Sequence, residues 1–356
     1  MGLRARRELW ARSSGSTGPG GPPTSTPPRA SAGSRLSASV VSRAVALRTL
    51  VVVNPASGGG AARRRFERAL PRLRDVLGEC DVAWTGAPRD AERIAREGVR
   101  AGVERVVVAG GDGTMSEVVS GLLAAGLGGY VELALLPLGT GGDLRRTLAL
   151  PADLDGALAA IARGERTALD AGRVAYVDRA GRDAVSYFAN IASLGISGLT
   201  TELVNRAPKA LGGRLSFLIG TLRSIASYRA APVALRVDGD LVHEGPLVLA
   251  AAANGRFFGG GMEVAPRARP DDGLLDVVAI PGFGKLRLLA ELPRIYRGSH
   301  LDVPGVIWRR GALVEAEPLG EPPWVEIDGE PLGRLPARFE VLPKALTVVG
   351  CGALAR

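Results

Sequence analysis

The sequence predicts a fold of α/β plus β class: an N-terminal doubly wound parallel α/β domain followed by a mostly antiparallel β-sandwich domain. Three observations carry this expectation. From residue 47 to 168, short apolar runs alternate with segments of helical period. Three of those runs end in glycine-rich turns. Beyond residue 168 the rhythm changes to strand-like alternation with Asp-Gly turns.

The elements follow in order. Residues 50–53, LVVV, are stopped by Asn54-Pro55 and read as a buried strand. The turn ASGGGAARRR leads into a helix in which Phe66, Leu70, Leu73 and Leu77 recur at helical spacing. CDVAW (80–84) is a second strand, Asp90 to Gly102 a second helix, and RVVVA (105–109) a third strand. Met115, Val118, Val119, Leu122 and Leu123 then share one helical face. LALLPLGTGGD (133–143) is a fourth strand ending in another glycine turn. Strands alternating with helices imply a parallel sheet. In the second domain, 169–350, a hairpin is expected around Arg179 to Asp183. Val233, Leu235 and Val237 alternate before a turn at Asp238-Gly239. GLLDVVAI, ALVEAE, WVEI, RFEVL and LTVVG continue the strand signals, and the strand near 340–350 is expected to return to the first domain. One helical insertion, residues 208–228, interrupts the β pattern. There it places Leu215, Leu218, Ile219, Leu222 and Ile225 on one face, with Arg214, Arg223 and Arg229 nearby. Such a helix either covers a core or lies on an anionic membrane surface.

Charge is unevenly spread. The 356 residues carry a net charge of +9, yet residues 1–48 hold eight arginines against Glu8, leaving +2 for the remainder. The basicity belongs to a tail, residues 1–46, whose Gly, Ser, Pro and Arg content predicts disorder, so no nucleic-acid partner is expected. That tail reads either as a transit peptide or as an extension without function. No uncharged apolar run is long enough to span a membrane. Two scattered cysteines, Cys80 and Cys351, and two histidines, His243 and His300, argue against a zinc site and against serine–histidine hydrolysis.

NPASGGG (54–60), GGDGT (110–114) and PLGTGGD (137–143) follow three strand ends of one predicted parallel sheet. Ligands of such sheets bind beyond the carboxyl ends of the strands. Glycine lets backbone N–H groups converge on an anion, and the following helix adds its unpaired donors. The three turns therefore read as walls of one polyphosphate site, without a Walker A lysine. Asp112 would repel phosphate unless a cation lies between them. Either it meets Mg²⁺ bound to the triphosphate or it caps the following helix.

Asn54-Pro55-x-Ser57-Gly58, then Gly110-Gly111-Asp112-Gly113-Thr114 with Glu117-Val118, then Pro137-Leu138-Gly139-Thr140 resemble the diacylglycerol kinase catalytic domain family. That superfamily includes sphingosine and ceramide kinases and, more distantly, NAD kinases. The resemblance continues through FANIASLGISG (188–198), NGRFFGGGMEVAP (254–266), RPDDGLLDV (269–277) and IDGE (327–330). It implies an ATP-dependent, Mg²⁺-requiring lipid kinase, cytoplasmic and peripheral to the membrane, acting on diacylglycerol, a sphingoid base, ceramide or phosphatidylglycerol. A homodimer is left open.

The same resemblance implies residue roles. Asn54, Ser57, Gly58, Thr85, Gly110, Gly111, Asp112, Gly113, Thr114, Met115, Ser116 and Thr140 would hold the nucleotide, with Asp112 also catalytic. Glu330 would be the general base, and Asp328-Gly329 is equally a hairpin turn. Arg269 and Leu274, through carbonyls, and Asp272, through its side chain, would hold a structural Mg²⁺; an acidic turn is the alternative. Asp170 would link that loop to the catalytic site. Gly142 departs from the family's usual Asn in GTGND. The alternative functions are a kinase of a soluble substrate, NAD kinase-like, and a nucleotide- or lipid-binding module without turnover.

Overall fold

The computed structural model describes residues 47–200 and 213–351; the predicted tail lies outside the described residues. Four parallel strands open the chain: β1 (Thr49–Val53), β2 (Cys80–Trp84), β3 (Arg105–Gly110) and β4 (Glu132–Pro137). Between and after them run α1 (Ala62–Leu77), α2 (Asp90–Arg100), α3 (Asp112–Ala124), α4 (Asp143–Thr147) and α5 (Leu154–Arg163). All five residues of β1 are buried, because helices cover both faces of this sheet. Leu50, Val52, Val106 and Val108 pack with Ala95, Val99, Val118 and Leu122 on one side. Val51, Val53, Val107 and Ala109 pack with Phe66, Leu73, Leu158 and Ile161 on the other. Phe66 meets Trp84 edge-on, centroids 5.5 Å apart. Truncating so buried a ring costs about 3–5 kcal/mol.

The second half contains β5 (Arg166–Asp178), β6 (Asp183–Phe188), β7 (Ile191–Gly195), β8 (Ala231–Val237), β9 (Asp240–Ala253), β10 (Leu275–Pro281), β11 (Ile307–Gly311), β12 (Leu313–Pro318), β13 (Trp324–Ile327) and β14 (Glu330–Val349). Its antiparallel strands enclose a core that includes Phe188, Leu194, Leu235, Val277 and Phe339. The expected hairpins form at residues 179–182 and at Asp238-Gly239, where both turn residues have positive φ.

RFEVL and LTVVG are parts of one long strand, β14, which runs antiparallel to β5 and then lies parallel to β4 at Thr347↔Glu132 and Val348↔Leu133. The sheet is thus continuous, in the order β11-β10-β9-β7-β13-β14-β4-β3-β1-β2. The parallel contact lies at the amino end of β4, and the β13–β14 hairpin meets the start of α3 through the hydrogen bond between Asp328 and Ser116.

The insertion helix is α6 (Gly213–Ser227), and a second helix, α7 (Lys285–Tyr296), was not expected from the sequence. Leu288, Leu292 and Ile295 fall on one face of α7, a helical spacing that Pro293 within the segment obscures. In α6, Ser224 and Ile225 are buried while Leu222 is exposed, so Leu222 turns away from the face expected of it. Leu215 and Leu218 lie outside the described side chains. Among the described residues, no helix is long and apolar enough to cross a membrane.

Candidate active site

The three glycine turns interlock. Asn54 N–H donates to the Ala109 carbonyl at 3.0 Å, and its side-chain amide donates to Thr114 Oγ1 at 3.0 Å. Leu138 and Gly139 N–H both donate to the Gly110 carbonyl at 3.0 Å. Gly139 lies so close to Gly111 that a Cβ there would stand 2.5 Å from the Gly111 Cα. Gly58, at φ +59, passes the Leu138 carbonyl equally tightly, so any side chain at 58 would strike it. A polar cavity of about 240 Å³ opens at this junction. Gly110, Gly111, Asp112, Met115 and Thr140 line it, together with Arg145 and Arg146. Asn54, Ser57, Gly58, Thr85, Gly113, Thr114 and Ser116 do not line it. Asn54, Gly58 and Thr114 brace the turns that do. Ser57 N–H donates to the Asn54 carbonyl at 3.2 Å, and Thr85 N–H donates to the Val53 carbonyl at 2.9 Å. Gly113 sits in the first turn of α3 with open space where a Cβ would point.

Asp112 is the first residue of α3 but does not cap it. Its carboxylate crosses to the neighbouring turn, accepting Gly142 N–H at 2.5 Å and Asp143 N–H at 3.0 Å. A carboxylate offers about four lone-pair sites. Two N–H donors leave lone pairs and the full negative charge facing the cavity, a donor set that suits a divalent cation. Asp143 is itself buried. Burial and then the Asp112 charge push its pKa up, against the Gly260 N–H and Arg146. Its Oδ2 accepts Gly260 N–H at 2.7 Å, tying the fourth strand's turn to the RFFGGG loop of the second domain.

The IDGE segment closes over α3. Asp328 and Gly329 form the β13–β14 turn with positive φ at both, so the hairpin reading holds. Glu330 is the first residue of β14 and opens to solvent on one side. The surrounding protein and then the Glu117 carboxylate raise its pKa. Asp328 points inward. Its Oδ1 accepts Ile191 N–H at 3.0 Å, and Ser116 also hydrogen-bonds to it. Burial, with a smaller push from Asp112, raises its pKa to about 6. The turn thus lays two carboxylates, Asp328 and Glu330, along the helix that begins with Asp112.

Residues 48–174 match the diacylglycerol kinase catalytic domain, and residues 190–350 match the YegS C-terminal NAD kinase beta sandwich-like domain. The chain is 32% identical over 299 residues to the diacylglycerol kinase of Mycobacterium tuberculosis (strain ATCC 25618 / H37Rv), covering 84% of this chain and 93% of that one. The chain belongs to the diacylglycerol kinase family. It is also 29% identical over 309 residues to the "Probable lipid kinase YegS-like" of Yersinia enterocolitica, covering 84% of this chain and 95% of that one. The crystal structure of a diacylglycerol kinase from Bacillus anthracis str. Sterne shares the fold, with TM-score 0.66 at 21% identity, over 86% of this chain and 98% of that chain.

In this member of the family, the acidic loop is pinned by Asp170. The Asp170 carboxylate accepts Gly273 N–H at 2.6 Å and Lys344 N–H at 2.7 Å, while its own N–H donates to the Pro270 carbonyl at 2.7 Å. Asn254 then donates to the carbonyls of Asp170 and Ala189, at 2.9 and 2.8 Å. Asn254 N–H donates to the Asn190 carbonyl, next to the Ile191 that holds Asp328. A continuous network therefore joins the loop to the cleft. Asp272 Oδ1 accepts Leu274 N–H at 3.1 Å, and its Oδ2 is ion-paired with Arg310. Asp276, fully buried, accepts Trp308 Nε1–H at 2.7 Å on one oxygen; its other oxygen lies 3.6 Å from Arg310 Nε and has no hydrogen-bond partner. Burial raises the Asp276 pKa. This acidic pair suits a cation, and the Arg310 guanidinium supplies one. Mg²⁺ held by Asp272 with the carbonyls of Arg269 and Leu274 would share Asp272 with Arg310.

Asp328, Asp143, Asn190 and Asn254 were missed as functional residues by reading the sequence, although each lies inside a quoted motif. Asp-Gly signals a hairpin, and nothing local shows that its aspartate faces another strand's helix. Arg145 carried no signal at all.

Proposed function

We propose that the protein is an ATP- and Mg²⁺-dependent lipid kinase, cytoplasmic and peripheral to the membrane, that phosphorylates the hydroxyl of diacylglycerol or a related amphiphile. One observation carries the reading: a single loop runs from beside a polar cavity to the lining of an apolar one. The RFFGGG loop donates Gly260 N–H to Asp143 beside the polar cavity. The same loop lends Phe258 and Met262 to an apolar cavity of about 70 Å³, completed by Ile225 of α6 and Leu288 and Leu292 of α7. Triphosphate suits the first and an acyl chain the second. Leu286, 84% exposed, and Leu222 and Leu289 face outward near Arg223, Lys285 and Arg287, a surface suited to an anionic membrane.

In this reading, the glycine turns and α3 position the phosphates, and Asp112 faces the cation that accompanies them. That cation would neutralise charge on the transferring phosphoryl group. Glu330 removes the lipid hydroxyl's proton as the oxygen bonds to the γ-phosphorus and the bridging P–O bond breaks, leaving ADP. A carboxylate whose pKa is raised by its surroundings and by Glu117 is a stronger base than an ordinary one, which suits that role. Asp328 shapes the turn that presents Glu330. Phosphoryl transfer of this kind rests mainly on positioning and electrostatics.

The test is transfer of radiolabel from γ-labelled ATP with Mg²⁺. Micelles of diacylglycerol, phosphatidylglycerol, ceramide or sphingosine are offered beside NAD, with products read by mass. Label in one lipid and none in NAD is expected. Label in NAD alone would replace the lipid reading with a soluble-substrate one.

A further inference from the structure

Gly142 lacks the side chain that the resembled family carries, and its surroundings show what fills the space. Its backbone lies at φ +111, a conformation that residues with a side chain rarely adopt. A Cβ there would stand 2.7 Å from Arg145 Nε and 3.3 Å from a terminal nitrogen of the same guanidinium. Arg145 therefore lies across the bare Gly142 backbone, where any larger residue would displace it. Its Nη1 donates to the Leu150 carbonyl at 3.0 Å, which fixes the direction of the fork. The guanidinium lines the polar cavity with Gly110, Gly111, Asp112 and Thr140. Arg146, the other arginine on that lining, is ion-paired with Asp143.

We propose that Arg145 binds nucleotide phosphate in this cavity and that Gly142 is what gives it room. The proposal rests on the reading that the cavity takes ATP. A triphosphate is strongly anionic, and Asp112 on the same lining repels it. A guanidinium answers both: it is always charged, and its planar fork matches phosphate oxygens in pairs. An Asn at position 142 would offer a neutral amide from the turn itself. Here the contact comes from one helical turn further along the chain and carries a full charge. The change at 142 is thus an exchange of one contact for another, and the cavity is specialised for phosphate charge.

The experiment is isothermal titration of the purified chain with MgATP, MgADP and AMP, with melting temperatures recorded for each variant. Arg145→Ala should weaken MgATP by about 10- to 100-fold, the range for losing a hydrogen bond to a charged group. AMP binding should move by much less. Arg145→Lys should recover part of the loss, because it keeps the charge without the fork. Gly142→Asn should weaken MgATP in the wild-type background and add nothing further to Arg145→Ala. If Arg145→Ala does not fold, Arg145→Gln, which keeps most of the stem, carries the same expectation. Wild-type affinity for MgATP in a folded Arg145 variant would overturn the proposal while leaving the cavity's reading intact. Additive losses for the two sites would overturn the link to Gly142. A wild-type chain that melts cooperatively yet binds no nucleotide would remove both the cavity's reading and the proposal.

Discussion

The glycine-turn cleft and the loop 269–276 each present an aspartate that the sequence offered as a metal ligand, Asp112 and Asp272, and the fold treats them differently. Asp112 is met by two backbone N–H groups, which orient its carboxylate without cancelling its charge. Asp272 is met by the Arg310 guanidinium, which does cancel it. A carboxylate held by amides stays available to an incoming ion, whereas one held by arginine is already part of the scaffold. Substitutions in the cleft should therefore cost rate, with or without stability, and those in the loop should cost stability alone.

The largest expected effect lies in the cleft. Glu330→Gln should lower transfer to lipid by about 10²- to 10⁴-fold, because Gln keeps the size but cannot hold the proton. Nucleotide affinity and melting temperature should stay near wild type, since among the described residues no hydrogen bond or ion pair joins Glu330 to the glycine turns. A twofold loss in single-turnover measurements would return Glu330 to the role of a turn residue. Asp112→Asn comes next, at about 10²- to 10³-fold in turnover, the scale of losing one preorganised electrostatic contact. Its amide nitrogen cannot accept the N–H it would face, so a melting loss of about 1–3 kcal/mol should accompany it. Wild-type turnover in Mg²⁺ would break the contrast at its cleft end.

How far the sequence carried these assignments follows from where the information lies. Strand–turn–helix rhythm, the glycine turns and the Asp-Gly hairpins are local signals, and residues 49–137 and the turns at 238 and 328 follow them closely, whereas α4 and α5 were not expected. The return of β14 to β4 depends on pairing across some two hundred residues. No local periodicity signals that pairing. Arg310 lies 38 residues from its partner Asp272 in an unremarkable WRRG strand end, so no spacing rule links them. Gly142 was legible as a departure, but Arg145 became its counterpart only once the short helix α4 folded back over the turn. The cleft was legible in its glycines and in Glu330, and opaque wherever a side chain reaches between distant elements.

At the loop, the effect should appear in melting rather than in rate. Arg310→Met leaves buried Asp276 and half-buried Asp272 without their cation. The pair is partly exposed, so the cost should be about 1–3 kcal/mol. If Mg²⁺ and Arg310 share Asp272, the variant should gain more melting temperature from Mg²⁺, and lose more to EDTA, than wild type. Equal Mg²⁺ responses in scanning calorimetry would show that the loop holds no ion that Arg310 excludes, and the acidic-turn reading would stand.

The smallest effect tests whether Asp328 behaves as part of the cleft. Its folded pKa of about 6 lies above the ordinary carboxylate value of about 4. Between those values the folded chain keeps a proton that the unfolded chain has released. The group's contribution to stability is therefore complete below about pH 4 and is lost as pH rises through about 6. Asp328→Asn removes this titration while keeping an oxygen to accept Ile191 N–H. Other carboxylates raised by burial, Asp143, Asp276 and Glu330, titrate in both proteins and cancel in the difference. Without nucleotide or Mg²⁺, wild type should lose melting temperature relative to Asp328→Asn from pH 4 to 7, most steeply near pH 5, between the unfolded and folded pKa values. Saturating MgATP should enlarge that gap, because it adds phosphate charge on the side where Asp112 already repels Asp328. Parallel melting curves across this range would mean that the Asp328 carboxylate is solvated, and its place between Ser116 and Ile191 would then be only that of a turn residue.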